Sequence, residues 1–249
     1  MIGKTPLTAT TNESGVAIVN IPTVDFSLGK GDYTIETSYA GNGSDVGSTT
    51  SNILSVSPKA TKLEYQKSVT VLITAVKKGS YYKITLKDVD GNVLAGRDVK
   101  VVFNGASKVL STDKNGVVNF KLSVSKAGSY KLTISAGDDY YAASSGSATI
   151  KVNKEATKLV AKKKTFKVKV KTKKYTVTLK DSKGKAIKKM RVTLKVKGKT
   201  YKATTNAKGK AVFKIKNLKK KGKFTATVKF AGNNLYKAVT KKVKITVKK

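Results

Sequence analysis

Lysine is the residue type through which this chain could act on a partner, and its placement is far from uniform. Lys167, Lys169 and Lys171 alternate with Phe166, Val168 and Val170; Lys195 and Lys197 alternate with Leu194 and Val196; Lys219, Lys220 and Lys221 stand in a row. Ammonium groups at this density neutralise an anionic polymer and release its counterions, which gives an affinity that falls steeply with salt. These lysines form the candidate polyanion-binding set. The plainer reading is a solvated face that keeps strand edges from pairing with other chains, a common use of Lys in sheets.

Other chemistries are nearly closed. The chain has no His and no Cys, which removes the usual general base, the commonest metal ligand, the thiolate nucleophile and any disulfide. From residue 156 to 249 a single acid, Asp181, faces 34 Lys and Arg, so no carboxylate pair can form there. The expectation is a protein that is not an enzyme, with no catalytic residue, no cofactor and no metal. Asp88-Val89-Asp90-Gly91-Asn92 looks like a fragment of a calcium loop, yet the full spacing and the closing Glu are missing. Its counterpart, Asp181-Ser182-Lys183-Gly184-Lys185, could not hold a cation, so a hairpin turn is the better reading. A Lys-to-Asn cross-link would need a buried acid beside it, and Asp181 is all the last segment offers.

The elements that must carry these residues repeat along the chain. Ala60-Thr61-Lys62-Leu63 recurs as Ala156-Thr157-Lys158-Leu159, and Leu86-Lys87-Asp88 with Gly91 recurs as Leu179-Lys180-Asp181 with Gly184. Gly116 matches Gly209, Gly128-Ser129-Tyr130 matches Gly222-Lys223-Phe224, and Ala136-Gly137-Asp138-Asp139 matches Ala231-Gly232-Asn233-Asn234. Pieces of the back half appear a third time near the start: Gly3-Lys4-Thr5, Asn12 to Gly15, Gly31-Asp32-Tyr33 and Ala40-Gly41-Asn42-Gly43. Residues 1–59 are therefore expected to hold only the last strands of a unit, leaving Ile18, Ile35 and Tyr39 short of packing partners. On that reading the chain is the C-terminal piece of a longer protein.

Within each unit, short runs alternate apolar and polar residues, the period of a half-buried strand. Examples are Phe166 to Lys171, and Val192, Leu194 and Val196 against Thr193, Lys195 and Lys197. Asp90-Gly91, Asn115-Gly116, Lys208-Gly209 and Ser14-Gly15 place Gly where a hairpin needs positive φ. Pro6, Pro22 and Pro58 suit strand edges or links. The fold class expected is all-β, a tandem array of immunoglobulin-like β-sandwich repeats: a partial repeat at 1–59, one at 60–155 and a Lys-rich one at 156–249. The aromatic of Gly-x-Tyr/Phe is expected to cap the core as a tyrosine corner does. Val152 to Glu155 reads as the whole link between the last two repeats, short enough for a semi-rigid rod.

The order of these motifs resembles the Ig-like repeats of adhesin-like surface proteins of methanogenic archaea and, more distantly, the bacterial Ig-like repeats of invasin-type adhesins. That resemblance implies an exported, non-catalytic cell-surface protein, and it carries over no functional residue. It also implies partners such as an anionic cell-wall polymer, or a glycan or protein on a host or partner cell. Met1 to Gly15 lacks the basic region and apolar stretch of a secretory leader, so localisation rests on the resemblance. No apolar run approaches the ~20 residues of a spanning helix. Asn12-Glu13-Ser14 and Asn42-Gly43-Ser44 are acceptor sequons for glycosylation if the chain is exported.

Charge divides the repeats more sharply than fold pattern does. Residues 1–59 carry 3 basic and 5 acidic residues, 60–155 carry 15 and 8, and 156–249 carry 34 and 1, or −2, +7 and +33. Two units with one fold pattern do not both need that excess, and self-repulsion costs stability. The last repeat is thus expected to contact an anionic polymer of the cell envelope. The alternative function is non-specific polyanion or nucleic-acid binding. Against nucleic acid, stacking aromatics are missing from the Lys-rich strands and Arg occurs only as Arg97 and Arg191.

Overall fold

The computed structural model describes residues 6–20 and 29–249. Gly3, Lys4, Thr5 and Pro22 lie outside the described residues. Strands β1 (Gly31–Tyr39) and β2 (Ser48–Val56) pair antiparallel as a two-stranded sheet. The next stretch holds β3 (Thr61–Tyr65), β4 (Ser68–Leu72), a short helix α1 (Ile73–Gly79), β5 (Tyr81–Asp88), β6 (Asp98–Phe103), β7 (Ala106–Ser111), β8 (Val117–Lys121), β9 (Gly128–Ala136) and β10 (Ser144–Asn153). The last holds β11 (Thr157–Val160), β12 (Lys164–Lys167), β13 (Lys173–Asp181), β14 (Arg191–Val196), β15 (Lys199–Thr204), β16 (Lys210–Ile215), β17 (Gly222–Phe230) and β18 (Val239–Lys248).

Sheet order repeats strand for strand. Residues 61–153 form β3-β5-β8 and β4-β10-β9-β6-β7; residues 157–248 form β11-β13-β16 and β12-β18-β17-β14-β15. In each, the first strand starts on the small sheet and the chain then crosses to the edge of the large one, where β4 runs parallel to β10 and β12 parallel to β18. Two facing sheets, with a first strand split between them, make an immunoglobulin-like sandwich. The fold is all-β, in tandem. By its internal contacts the chain divides into two compact units, residues 1–67 with 83–120 and 132–148, and residues 68–82 with 121–131 and 149–249.

Period two explains the core of residues 157–248. Tyr175, Val177 and Leu179 on β13 and Ala211, Phe213 and Ile215 on β16 point inward from the small sheet. Val192, Leu194 and Val196 on β14, Ala226, Val228 and Phe230 on β17, and Val243, Ile245 and Val247 on β18 meet them from the large one. Each fully buried Val, Leu or Phe contributes roughly 1.5–3 kcal/mol. The intervening residues are left to solvent, and that is where the lysines go.

The recurring motifs prove to be turn chemistry. Asn206 Oδ1 accepts from Lys208 N and Lys210 N, as Asp113 Oδ1 accepts from Asn115 N and Val117 N. The Gly closing that turn has φ +68° in both copies, and a Cβ on Gly209 would lie 2.6 Å from Leu179 O. Only Gly fits beneath that strand. In the Ala-Gly-[Asp/Asn] motif, Asn42, Asp138 and Asn233 each accept two backbone N–H groups from residues two and three ahead. Tyr33 OH donates to Gly29 O and Tyr130 OH to Lys126 O, four residues upstream in each case, the bond that defines a tyrosine corner. Phe224, with no hydroxyl, packs on the core instead.

Four local expectations need correction or refinement. The helix α1 was not expected; Ile73 and Val76, three residues apart, are both buried, so this stretch satisfies its core through one helical turn. The alternation from Phe166 to Lys171 does not make one strand: β12 ends at Lys167 and a turn follows, with Val168 N donating to Lys248 O and Val170 N to Lys167 O. Val152 and Asn153 belong to β10, which leaves Lys154 to Ala156 between β10 and β11, and Glu155 there is buried. In the first segment Ile18 is 74% exposed and Tyr39 45%, while Ile35 is half-buried.

Candidate polyanion-binding site

Register sorts the candidate lysines into two places. Lys167 on β12 and Lys195 on β14 project from the outer face of the large sheet, each flanked in sequence by inward-facing Phe166 or by Leu194 and Val196. The other six stand on turns: Lys169 and Lys171 after β12, Lys197 between β14 and β15, and Lys219, Lys220 and Lys221 between β16 and β17. All are exposed. Lys167 pairs with Lys248 at the end of β18, Gly222 at the start of β17 pairs with Val247, and Val196 at the end of β14 pairs with Ala226. The three turns therefore open at one end of the sandwich, and six of the eight lysines form a cationic pole.

Each turn of the pole is fixed. The Asn217 side-chain amide donates to Val196 O at 2.9 Å and Lys197 O at 3.2 Å, and its carbonyl accepts from Tyr201 OH at 2.9 Å. Tyr201 OH in turn accepts from Lys216 N and Asn217 N, each at 3.2 Å. The 216–221 loop is thereby tied to the β14–β15 hairpin. That hairpin turns on Lys197 and Gly198, both with positive φ (46° and 76°), the two-residue turn whose twist matches the flanking strands. Asn104 and Gly105 do the same between β6 and β7. Lys173, at the start of β13, is 2% exposed and donates through Nζ to Val170 O at 2.7 Å, holding the turn after β12.

Carboxylates sit at the other end. Asp181 closes β13, eight residues from Lys173, or about 27 Å at ~3.4 Å per residue. Its Oδ1 accepts from Lys183 N and Lys185 N, so it organises a turn. Asp181, the one acid of residues 156–249, therefore does not lie beside buried Lys173. Glu155, 6% exposed, accepts from Thr74 Oγ1 at 3.0 Å and from Ser182 Oγ. Burial, aided by the Asp181 and Glu155 carboxylates, pushes the Tyr236 phenol above its ordinary value. With the acids gathered there, the lysine pole is unscreened by countercharge from its own sandwich.

The apparent calcium fragment is occupied by the chain itself. Asp88, 4% exposed, accepts from Lys59 Nζ at 2.7 Å and from Asn92 N and Asn92 Nδ2, and Lys59 also reaches Asp90. The Lys59 bond and the Asn92 donors hold Asp88 far below the usual carboxylate range; the same two carboxylates raise Lys59. Among the described residues, no three or more Asp or Glu stand together where a metal could be held. Also among the described residues, no helix is long and apolar enough to cross a membrane.

Sequence reasoning missed Lys173, Asn217 and Tyr201 as the supports of the pole. Lys173 was one lysine among many, and the Tyr201–Asn217 contact joins loops that only the sheet order brings together.

No family model matches the chain, and no curated protein matches it. Its sandwiches are similar to solved repeat structures. One is a 1.5-MDa bacterial ice-binding adhesin, at 14% identity and TM-score 0.37, covering 96% of this chain and 82% of that one. Another is invasin, described as a bacterial integrin-binding protein, at 21% identity and TM-score 0.36, covering 68% of this chain and 36% of that one. The titin domains Z1Z2 align at 13% identity and TM-score 0.45, covering 78% and 98%. TM-scores this low leave the functional reading to the residues.

Proposed function

We propose that this chain is a non-catalytic, adhesin-like repeat region of a cell-surface protein, with repeats at 60–155 and 156–249 and a partial one at 1–59, and that its last repeat contacts an anionic polymer of the cell envelope. The observation that supports this is the charge step between two sandwiches of one sheet order, from +7 to +33. Common topology and core positions mean that folding does not require the added lysines. A dense cationic surface binds polyanions by counterion release.

The test is retention of the full chain on purified cell envelopes and on duplex DNA across a salt series. Envelope binding that survives at physiological salt while DNA binding is lost supports the reading. Equal binding to both, erased together by modest salt, would leave a generic cationic surface and overturn it.

A further inference from the structure

The outer face of the β12-β18-β17-β14-β15 sheet carries a pattern that strand sequences alone do not reveal. Every outward residue of these strands is Lys, Arg or Thr. Register arranges them so that a cation faces a Thr across almost every pair. One row across the sheet reads Lys202, Thr193, Lys229, Thr240. The next reads Thr200, Lys195, Thr227, Lys242, with the alternation inverted. Beyond them Thr225 faces Lys244, Lys223 faces Thr246, and Arg191 faces Thr204. The exceptions lie at the β12 edge, where Lys167 is opposite Lys248 and Thr165 opposite Thr246.

Avoidance of like charges is not forced on this domain by stability. On its small sheet Lys158 faces Lys180 and Lys174 faces Lys214 directly, the arrangement that destabilises a sheet. The corresponding large face of the preceding sandwich is mostly uncharged: Ser135, Ser147 and Thr149 occupy the positions of Lys229, Lys242 and Lys244. Strand spacing of ~4.8 Å and a two-residue repeat of ~6.8 Å put diagonal cations about 8 Å apart; along β18 alone two cations, Lys242 and Lys244, follow each other at one two-residue step with no Thr between them.

We infer that this face is a binding surface for a linear acidic polysaccharide, laid flat across the strands, with carboxylates on the lysines and sugar hydroxyls on the threonines. The inference rests on the reading that this repeat meets a polyanion and names the surface and the ligand class. Charge complementarity carries it, and the composition of the face selects among polyanions. With no aromatic on it there is nothing for a base to stack upon, and Arg191 is its only guanidinium. No apolar side chain is available to enter a bilayer. What remains is a ligand recognised by alternating charge and hydroxyl.

The test uses the full chain, polygalacturonate as the probe, and two variants that each remove three charges. The face variant, Lys229→Ser, Lys242→Ser and Lys244→Thr, installs residues that the preceding sandwich carries at those positions. The control, Lys158→Ser, Lys180→Ser and Lys214→Ser, removes charge from the small sheet. Losing three ion contacts flattens the salt dependence by about two to three units and weakens binding roughly fifty-fold at 0.15 M salt. The face variant is expected to show that loss and the control little change, with both keeping the wild-type thermal midpoint or exceeding it. Equal loss in both variants would overturn the assignment to this face and leave polyanion binding standing. Tighter binding of a single-stranded oligonucleotide than of polygalacturonate at the same salt would overturn the ligand class. If wild type binds no polyanion at physiological salt, the functional reading fails as well.

Discussion

Replacing Tyr175 with Phe should make the stability of this chain less sensitive to alkali, and the size of the effect follows from where the ring sits. Tyr175 is 1% exposed, and its hydroxyl donates to Lys162 O at 2.8 Å, in the segment that carries the chain from the small sheet to the large one. Burial pushes its phenol up to about 12, against about 10 in the unfolded chain. A raised folded value means the stability is complete below about pH 10 and is lost as pH rises towards 12. Two units correspond to at most about 2.7 kcal/mol. Because the hydroxyl reaches the exposed Lys162, water screens part of that, and about 1–2.5 kcal/mol is the better figure. At neutral pH the variant loses one hydrogen bond, about 1 kcal/mol. Urea midpoints followed from about pH 8 to about 12.5 should therefore start with wild type ahead, converge above pH 10 and then meet or cross. Lysines lose their charge over the same range, but in both proteins, so the difference isolates the phenol. A gap that stays constant to pH 12 would refute the reasoning.

Lys197→Asn should raise stability by roughly 0.5–1 kcal/mol, because Lys197 holds φ +46° in a turn where Asn104 serves at +52° in the preceding sandwich; an unchanged or lowered urea midpoint would contradict this. Asp88→Asn removes the buried one of the two carboxylates that Lys59 reaches. Since Asp88 is held low, its contribution is present above the unfolded value near pH 4 and is lost as pH falls below it. Wild type and variant should differ most at neutral pH and the gap should narrow steadily as pH falls below about 4, and a gap unchanged from about pH 7 down to about pH 2 would assign the loss to packing instead.

Repeats and turns were legible in the sequence because they are local. An Asp or Asn three residues before a Gly makes its own turn wherever it stands, and Gly128-Ser129-Tyr130 needs only its own upstream backbone to close the corner. Period two told which residues of β13 or β14 face inward. It could not tell where β12 stops, since Val168 and Val170 continue the alternation after the chain has turned. Nor could it place Lys197 in a tight turn, because Lys is not a turn residue. Above all, period two fixes a side of the sheet and is silent on register. That is why the candidate set included Lys195 but not Lys229 and Lys242, which share its face and lie within two strands of it. Glu155 was missed for a related reason: a residue counted as spacer is held by Thr74 and Ser182, far from it in sequence.

The cation and threonine lattice also ties stability to binding through one electrostatic term. Two unit charges about 8 Å apart in water repel by ~0.5 kcal/mol, and a Debye length of ~8 Å at physiological salt cuts that to ~0.2; directly opposed at ~5 Å they would start near 0.8. Placing a Thr between cations therefore shrinks each repulsion but cannot reverse it, and many such terms add over a segment with 34 basic residues and one acid. Added salt and bound polyanion relieve the same repulsion by different means. Salt should raise the thermal midpoint of the free chain while weakening its hold on the polymer, and the polymer should raise that midpoint most at low salt, where binding is tightest. A midpoint that falls or stays level with salt from about 20 to 300 mM would mean that the lattice has already made repulsion negligible. In that case the lysines would be a surface the fold tolerates without strain, and relief of self-repulsion could not contribute to polymer affinity.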